Sequence, residues 1–422
     1  MFQPDEEYAR HLDAADPLTR FRDAFHLPRR ADGTPALYFC THSLGLLPKA
    51  AQSFVDQEIR RWADLGVDGH FQGDPPWYIY QESMRPVLAG LIGARPSEVI
   101  LMNGLTVNLH LMLETFYRPS AERPAILLDA PPFPSDLYAV KSQLARHGHD
   151  PSRTLRMIRP RPGEDSVRIE DIEEWLETHG HEVATVVWNP VNFLTGQFLD
   201  VPRLVAAARR QGCVVGLDLA HAAGNVPLAL HDWGVDFAVW CNYKYLCGGP
   251  GALAGCFVHE THGKKTSLPR LAGWWGNDPS LRFRMQLEPE FQARPGADGW
   301  QISNPPVLAM APLRASLAVF DEAGLPNLRQ RSQKLTGYLE YLLDRLPHHR
   351  IEVMTPRDPE RRGCQLSLRV RDGAREMLKA LADEGVVADF RELDVIRLAP
   401  APLYNTFREV WSLAQLILRL QG

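Results

Sequence analysis

The sequence predicts an α/β fold, with a mostly parallel β-sheet in a large domain and a smaller α+β domain after it. Two observations predict this class. Strand-like and helix-like segments alternate from residue 124 to 259, which is typical of a parallel sheet covered by helices on both faces. Beyond residue 306 the pattern changes to two long amphipathic helices, short strands and a final helix. We therefore expect an N-terminal segment at 1–60 that contributes to the small domain, a large domain at 61–306 and a small domain at 307–422.

Each element follows from its local pattern. Apolar runs bounded by turn residues predict the strands, and apolar residues at helical spacing predict the helices. Asp200 is a candidate N-cap and Gly212 a candidate stop for the helix between them. The predicted strands lie at 124–130, 182–191, 213–220, 236–244, 252–259, 364–370 and within 385–400, and the predicted helices at 135–148, 200–212, 307–324 and 325–346.

Composition and charge exclude several classes of protein. The 422 residues are 45% hydrophobic and 23% charged with a formal net charge of −5, which is ordinary for a globular protein and unlike a basic nucleic-acid-binding domain. The N-terminus lacks a signal-peptide pattern, and no apolar run approaches the ~18 residues of a membrane span. The six cysteines form no C-x-x-C pair. We expect a soluble, cytoplasmic protein without a structural metal, a nucleic-acid partner or a membrane contact.

Lys244 and Asp218 are the first candidates for chemistry. Lys244 follows the apolar run at 237–241 and precedes a glycine cluster, and Asp218 closes another buried strand. Both should lie at the carboxyl edge of the sheet, where α/β proteins bind ligands. A desolvated amine reacts with aldehydes, and a carboxylate keeps a pyridine nitrogen protonated, so an aldehyde cofactor with a basic ring nitrogen would use both. Read singly, Lys244 is equally a solvent-facing lysine, and Asp218 is more often a helix N-cap or turn residue.

Other residues could hold the rest of such a cofactor. Residues 103–106 open an amphipathic helix, so Leu105 and Thr106 could meet a phosphate at its N-terminus. Phe133, with Asp136 close to it in sequence, could stack on a ring, but a lone phenylalanine is more often a core residue. Further candidate donors to ring or phosphate oxygens are His221 and Tyr243.

Eight segments carry a resemblance to a known family. The longest is DLAHAAGNVPLALHDWGVDFAVWCNYKYL at 218–246, and the others are SLGLLPKA (43–50), LMNGLTVNLHLM (101–112), FPSDLYA (133–139), GWWG (273–276), ISNPP (302–306), RGCQLSL (362–368) and RLAPAPLYN (397–405). On these segments, spread over nearly the whole chain, the sequence resembles the kynureninases, pyridoxal-phosphate enzymes of fold type I (aspartate-aminotransferase-like). The resemblance implies a seven-stranded sheet and a homodimer with shared active sites. It also implies hydrolytic cleavage of the Cβ–Cγ bond of L-kynurenine or L-3-hydroxykynurenine, which gives L-alanine and anthranilate or 3-hydroxyanthranilate.

The resemblance also implies a role for each matching residue. Lys244 is expected to form the Schiff base and move protons, Asp218 to pair with the pyridine nitrogen, and Tyr243 to act as an acid besides binding the phosphate. Arg397 is expected to bind the substrate α-carboxylate, although the sequence alone equally allows a surface salt bridge. The other expected cofactor contacts are Leu105, Thr106, Phe133, Asp136 and His221, with Trp274 and Asn304 from the second subunit. The expected substrate contacts besides Arg397 are Ser43, His42, His70, Asn277 and Asn304.

Three positions depart from the family pattern. The family usually reads Gly-Asn-Ser-Leu-Gly where this chain has THSLG at 41–45, so that His42 replaces an asparagine. Asn277 stands where a histidine is usual, and Asn189-Pro190 replaces a Ser-Gly or Pro-Gly pair. One interpretation is neutral drift or a compensated exchange, in which His42 stands in space where the lost histidine stood. The alternative hypothesis is a preference for a substituted kynurenine, such as a 3-hydroxylated or ring-methylated one.

The remaining alternatives concern a pocket loop and rival functions. His70 and Trp77 belong to a loop expected at the pocket mouth, where they either contact substrate or are simply a loop histidine and a packed tryptophan. Cysteine desulfuration on the same scaffold needs a mobile nucleophilic cysteine, and Cys364 at a predicted strand start fits that role poorly. A catalytically silent binding protein is disfavoured because Lys244 and Asp218 are both present. The sequence leaves open whether the pathway is tryptophan breakdown, NAD biosynthesis or secondary metabolism.

Overall fold

A computed structural model describes residues 2–346 and 350–421 of the protein. Its strands, in chain order, are β1 (Leu37–Tyr38), β2 (Val99–Leu101), β3 (Ala125–Asp129), β4 (Leu155–Ile158), β5 (Val183–Trp188), β6 (Val214–Asp218), β7 (Phe237–Trp240), β8 (Gly255–Val258), β9 (Ile351–Val353), β10 (Leu366–Val370), β11 (Val386–Val387), β12 (Asp389–Arg391) and β13 (Val395–Leu398).

The α-helices alternate with these strands through the middle of the chain. They are α1 (Glu6–Ala15), α2 (Ala51–Leu65), α3 (Arg85–Ile92), α4 (Leu105–Phe116), α5 (Pro134–Arg146), α6 (Pro151–Thr154), α7 (Ile169–His179), α8 (Val201–Arg210), α9 (Leu230–Trp233), α10 (Glu260–Gly263), α11 (Val307–Ala323), α12 (Leu325–Leu343), α13 (Ala374–Asp383) and α14 (Phe407–Gln421). Short 3₁₀ helices lie at Pro17–Ala24, Gly66–His70, Trp77–Met84, Pro96–Glu98, Gly180–Glu182, Trp274–Gly276, Ala297–Trp300 and Pro359–Arg361.

The large sheet has seven strands in the order β2-β8-β7-β6-β5-β3-β4. Strands β3 to β7 pair in parallel, whereas β8 runs antiparallel to both β2 and β7. The predicted mostly parallel, seven-stranded sheet is therefore confirmed. Because β3, β5, β6 and β7 point the same way, the residues that end them share one edge of the sheet.

Helices cover both faces of this sheet, as predicted. Successive strand residues point to opposite faces, so Ile126 and Leu128 pack in one apolar core with residues of α4 and α5. Leu127 lies on the other face, in a core shared with α3, α7, α8 and α11. All five strands predicted between residues 124 and 259 are present, each somewhat shorter than its apolar run.

The local signals of the sequence are partly confirmed. The Asp200 side chain accepts a hydrogen bond from the Arg203 N–H at 3.2 Å and caps α8. Gly212 follows the helix at φ 74°, the left-handed conformation that glycine adopts easily. The prediction that Lys244 ends a strand is wrong. Strand β7 ends at Trp240 and Lys244 lies in the turn that follows, because the backbone must leave the sheet there to reach the glycine-rich segment.

A second, smaller sheet has the order β12-β13-β10-β9, with antiparallel pairing throughout. It shares an apolar core with α12, α13 and α14. Ala9 and Phe39 of the N-terminal segment pack in this core, whereas Phe21 and Phe25 pack in the core of the large sheet. The division at residues 60 and 306 stays a prediction. Within the described residues, no helix has the length and apolar character needed to cross a membrane.

Candidate active site

Lys244 lies beside a histidine and a phenylalanine at the carboxyl edge of the large sheet. Its side chain is 9% exposed, and Nζ lies 3.1 Å from Nε2 of His221 and 5.7 Å from the centre of the Phe133 ring. The Tyr245 hydroxyl holds Nδ1 of His221 at 3.3 Å. Burial, with the charge of Lys244 acting in the same direction, lowers the pKa of His221 well below its ordinary value. His221 is therefore neutral and can accept a hydrogen bond from the lysine amine.

Asp218 and Asp136 form a pair of buried carboxyl groups. Asp218 ends β6 and accepts the Ala220 N–H at 2.7 Å, and Asp136 lies in the first turn of α5 within hydrogen-bonding contact of Asp218. Burial raises the pKa of Asp136 well above its usual range, and the charge of Asp218 raises it further. Burial also raises the pKa of Asp218, but the Ala220 N–H and Lys244 oppose that shift. Asp136 therefore holds the proton of the pair, and Asp218 is the anion.

The starts of α4 and α5 bring two hydroxyl groups together. Helix α4 has Gly104 as its N-cap, without a hydrogen bond from a capping side chain. Thr106 Oγ1 lies 2.8 Å from Oγ of Ser135 in α5. Free backbone N–H groups at a helix start and adjacent hydroxyls suit a phosphate. Ser135 was not predicted, although it stands two residues after Phe133 in the quoted FPSDLYA segment.

Arg397 is buried, so the alternative that it forms a salt bridge at the surface is wrong. Its Nε and Nη2 lie 2.8 and 2.7 Å from Oδ1 of Asp389, and Nη1 donates to the Phe193 carbonyl oxygen at 2.5 Å. Ser43 Oγ donates to the other oxygen of Asp389 at 2.9 Å. Burial lowers the pKa of Arg397, which the charge of Asp389 opposes. The sequence did not identify Asp389, because only the pairing of β12 with β13 places it opposite Arg397.

His42 lies between the residues around Lys244 and those around Arg397. It is 1% exposed, its ring centre is 6.5 Å from that of His221, and neither ring nitrogen has a hydrogen-bond partner among the described residues. Burial lowers its pKa well below the ordinary value, with the charges of Arg397 and Lys244 acting the same way. An unpaired buried polar atom costs about 1–3 kcal/mol. His42 therefore offers a neutral imidazole with donor and acceptor free for a ligand.

Gly45 allows the segment that carries His42 and Ser43 to approach Lys244. Its N–H donates to the Tyr243 carbonyl oxygen at 2.8 Å, and a Cβ at this position would lie 2.3 Å from the Lys244 carbonyl oxygen. A larger residue would push the two segments apart. The glycine in the quoted SLGLLPKA segment thus has a steric reason.

Other predicted contacts lie in loops with partners of their own. His70 packs edge-on against Trp77 at 5.4 Å, and the Trp77 indole donates to Glu58 at 2.7 Å. Asn277 is buried and accepts the Gln292 N–H at 2.8 Å. Trp274 is 38% exposed and Asn304 is also exposed. In the single chain His70, Trp77 and Asn277 thus have partners other than Lys244.

Known proteins resemble this chain over nearly its whole length. The family model of the kynureninase C-terminal domain matches residues 328–417. The kynureninase of Myxococcus xanthus (strain DK1622) is 53% identical over 97% of this chain and 96% of its own length. The chain belongs to the kynureninase family. The kynureninase of Koribacter versatilis (strain Ellin345) is 51% identical over 98% of this chain and 97% of its own length. The predicted family and enzyme class, a pyridoxal-phosphate-dependent hydrolase of a carbon–carbon bond, are thereby confirmed.

Solved structures support the fold. A cysteine desulfurase of Thermococcus onnurineus NA1 aligns with a TM-score of 0.74 at 18% identity over 97% of both chains. A mutant of the lyase C-DES with glycine linked to its PLP cofactor aligns with a TM-score of 0.75 at 19% identity over 90% of this chain and 96% of its own. At these identities the likeness confirms the predicted fold type I and carries no statement about the reaction.

Proposed function

We propose that the site around Lys244 performs the kynureninase reaction, the hydrolytic release of L-alanine from a kynurenine. The observation that carries this proposal is the arrangement of three buried groups. The amine of Lys244 interacts with the anionic Asp218. His42, which feels the charges of both Lys244 and the buried Arg397, connects this pair to the guanidinium. This arrangement provides partners for a ring nitrogen, an aldehyde and an α-carboxylate in one region of the chain.

The residues present fit pyridoxal phosphate. Asp218 would hold the protonated ring nitrogen, Phe133 would face the ring and Lys244 would hold the cofactor covalently. The uncapped start of α4 and the hydroxyls of Thr106 and Ser135 would bind the phosphate. When bound, the cofactor supplies a ring that withdraws electrons from the substrate α-carbon. Leu105, Asp136, His221 and Tyr243 complete the proposed contacts within the chain.

The chain's own side chains provide orientation and proton transfer. Arg397 orients the substrate through its carboxylate, because Asp389 and the Phe193 carbonyl fix the guanidinium in advance. Lys244 moves the α-proton, with neutral His221 within reach of its amine. Burial raises the pKa of the Tyr243 hydroxyl, so it keeps its proton at neutral pH and can act as the acid.

The rival reaction, cysteine desulfuration, lacks its nucleophile. All six cysteines are unpaired and buried. Burial raises the pKa of Cys364 to about 12, and its backbone N–H is fixed by Asn225 at 2.9 Å. A protonated, immobile thiol cannot attack a bound substrate. The presence of Lys244 and Asp218 likewise speaks against a silent binding protein.

We further propose that the active site is shared in a homodimer. Trp274 and Asn304, expected from the resemblance to reach the partner's cofactor, are exposed in the single chain. Large apolar side chains are exposed on nearby loops, and the rings of Phe71 and Phe283 lie 6.0 Å apart. Such a patch is typical of an interface. Trp62, Val67 and Leu287 are exposed as well. We also propose a cytoplasmic location, because unpaired cysteines are typical of proteins in a reducing compartment.

A parallel assay of two substrates tests the function and the role of the departures. The holoenzyme is given L-kynurenine and L-3-hydroxykynurenine, and alanine is measured together with anthranilate or 3-hydroxyanthranilate. We expect both the amino acid and the aromatic product to form in equal amounts. We also expect the variant His42→Asn with Asn277→His to change the ratio of the two kcat/KM values by about tenfold.

Two results would contradict these expectations separately. Holoenzyme that binds pyridoxal phosphate and cleaves neither substrate overturns the proposed reaction. An unchanged ratio in the double variant shows that His42 and Asn277 are neutral substitutions, and the substrate-preference hypothesis then fails while the reaction stands.

A further inference from the structure

A third buried carboxyl group lies next to Asp136, on the other side of Asn189, and the proposed reaction does not use it. Asp129, the last residue of β3, is 3% exposed. Nδ2 of Asn189 lies 3.3 Å from Oδ1 of Asp129 and 3.2 Å from Oδ2 of Asp136. An amide thus joins two carboxyl groups, and the second of them contacts Asp218. We propose that Asp129 is a positioning residue, which acts through Asn189 on Asp136 and so keeps Asp218 in the anionic form that binds the cofactor's ring nitrogen.

The side chains of Asn192, Asp129, Asn189, Asp136 and Asp218 form a row of successive contacts. The donor and the acceptor of each hydrogen bond from Asn192 to Asp136 can be assigned. The Asn192 amide oxygen accepts the N–H groups of Leu194 and Thr195, so its nitrogen must be the group that donates to Oδ2 of Asp129 at 3.3 Å. As a carboxylate, Asp129 offers Asn189 only acceptors, so the Asn189 nitrogen faces it. Both hydrogens of Asn189 are used, one on Asp129 and one on Asp136.

This direction decides where Asp136 carries its proton. Oδ2 of Asp136 accepts from Asn189, whereas Oδ1 accepts no hydrogen bond from the described residues. A proton on Oδ1 can be donated to Asp218, which stabilises the Asp218 anion. If Asn189 rotated, its oxygen would face Asp136 and compete with Asp218 for that proton. Asp129 prevents the rotation, since a carboxylate accepts from both neighbouring amides and an amide in its place could not.

The row should respond to pH near neutrality. Burial raises the pKa of Asp129 to about 7, which the two amides oppose. The charged or titratable groups that face it are Asp136 from α5 and Asp218 from β6, with Lys244 beyond them in the turn after β7. Above this pH Asp129 is a carboxylate with two full acceptors, and below it the group is protonated and holds Asn189 less firmly.

The experiment measures cofactor binding rather than turnover. The inference rests on the proposed use of pyridoxal phosphate, but not on the identity of the substrate. Release of pyridoxal phosphate from dialysed holoenzyme gives its dissociation constant at pH 6 and pH 8. We expect Asp129→Asn to weaken binding by about tenfold at pH 8 and by less than about threefold at pH 6. Failure of the reaction alone would leave this measurement unaffected.

Matched variants separate positioning from general damage. Asp236→Asn removes another buried carboxylate at the opposite edge of the same sheet, where Val215 N–H and His262 are its partners, and should leave the dissociation constant unchanged at both pH values. Asn189→Ala should weaken binding as Asp129→Asn does, and the double variant should be no worse than Asn189→Ala. If Asp129→Asn fails to fold, Asn189→Ala carries the same pH comparison. Equal weakening at pH 6 and pH 8, or additive effects, would overturn the proposal.

Discussion

The proposed active site has a cofactor side around Asp218 and a substrate side around Arg397, and the two sides treat buried charge differently. On the cofactor side, the carboxyl groups of Asp218 and Asp136 accept hydrogen bonds from neutral N–H groups among the described residues, and Lys244 is the nearby cation. On the substrate side, Arg397 is paired with Asp389 inside the chain. The first side is completed by a cation such as a protonated ring nitrogen. On the second side, Asp389 is shared by Arg391 and Arg397, so that Arg397 is held in place while positive charge remains for an anion.

This difference has an energetic reason. A buried charge without a partner costs several kcal/mol, so it persists only where a ligand or a proton supplies the missing charge. Asp136 is kept neutral by its raised pKa, and Asp218 is left as the anion. The cofactor side therefore depends on its ligand for full stability, whereas the substrate side depends on Asp389.

The largest expected effect is at the centre of the cofactor side. Lys244→Ala should lower kcat for kynurenine cleavage by more than about 10³-fold, because the amine that moves the proton is lost. Lys141→Ala, which removes an exposed lysine of α5, is the matched control and should keep kcat. Cofactor content, measured on the same samples, must be recorded to separate binding from catalysis. A Lys244→Ala enzyme with more than a tenth of normal kcat would show that Lys244 is not the group that moves the proton.

A smaller, different effect is expected on the substrate side. Arg397→Lys should raise KM by about 10- to 100-fold and change kcat less, since an ammonium cannot hold a carboxylate through two parallel bonds. Steady-state kinetics with L-kynurenine measure both constants. Arg369→Lys in β10, whose partners Asp165 and Glu352 lie nearer the surface, controls for the exchange. A fall in kcat without a change in KM would show that Arg397 does not act through substrate binding.

The smallest expected effect concerns His42, which lies between the two sides. Its folded pKa is lowered, so the unfolded chain binds a proton below pH 6.5 that the folded chain excludes. The folded state thus loses about 1.4 kcal/mol of stability per pH unit from this group as the pH falls below about 6.5. His42→Asn should lose less thermal stability between pH 7.5 and pH 5.5 than the wild type. His181→Asn, at an exposed site, should behave as the wild type, and an identical loss in His42→Asn would contradict a neutral buried imidazole.

Much of the fold could be predicted because its signals are local. The strand that ends at Asp218 and the helix capped by Asp200 are specified by a few consecutive residues. The carboxyl-edge position of Asp218 follows from parallel strand order. Lys244 was placed on the correct edge but on the wrong element, since apolar residues beyond β7 continue into a buried turn that a strand pattern cannot distinguish.

Contacts between residues on different elements were decided only by the tertiary structure. Asn189 was visible in the sequence as an unusual residue, but its position between Asp129 and Asp136 requires β3, β5 and α5 to meet at one edge. Asp389 reaches Arg397 only through the pairing of β12 with β13. The sequence by itself thus determined the family and the elements with strong local patterns, and it singled out Lys244 and Asp218 as candidate reactive groups. The tertiary structure decided which buried charges have partners, because that depends on how separate elements pair and pack and on the exclusion of water around them.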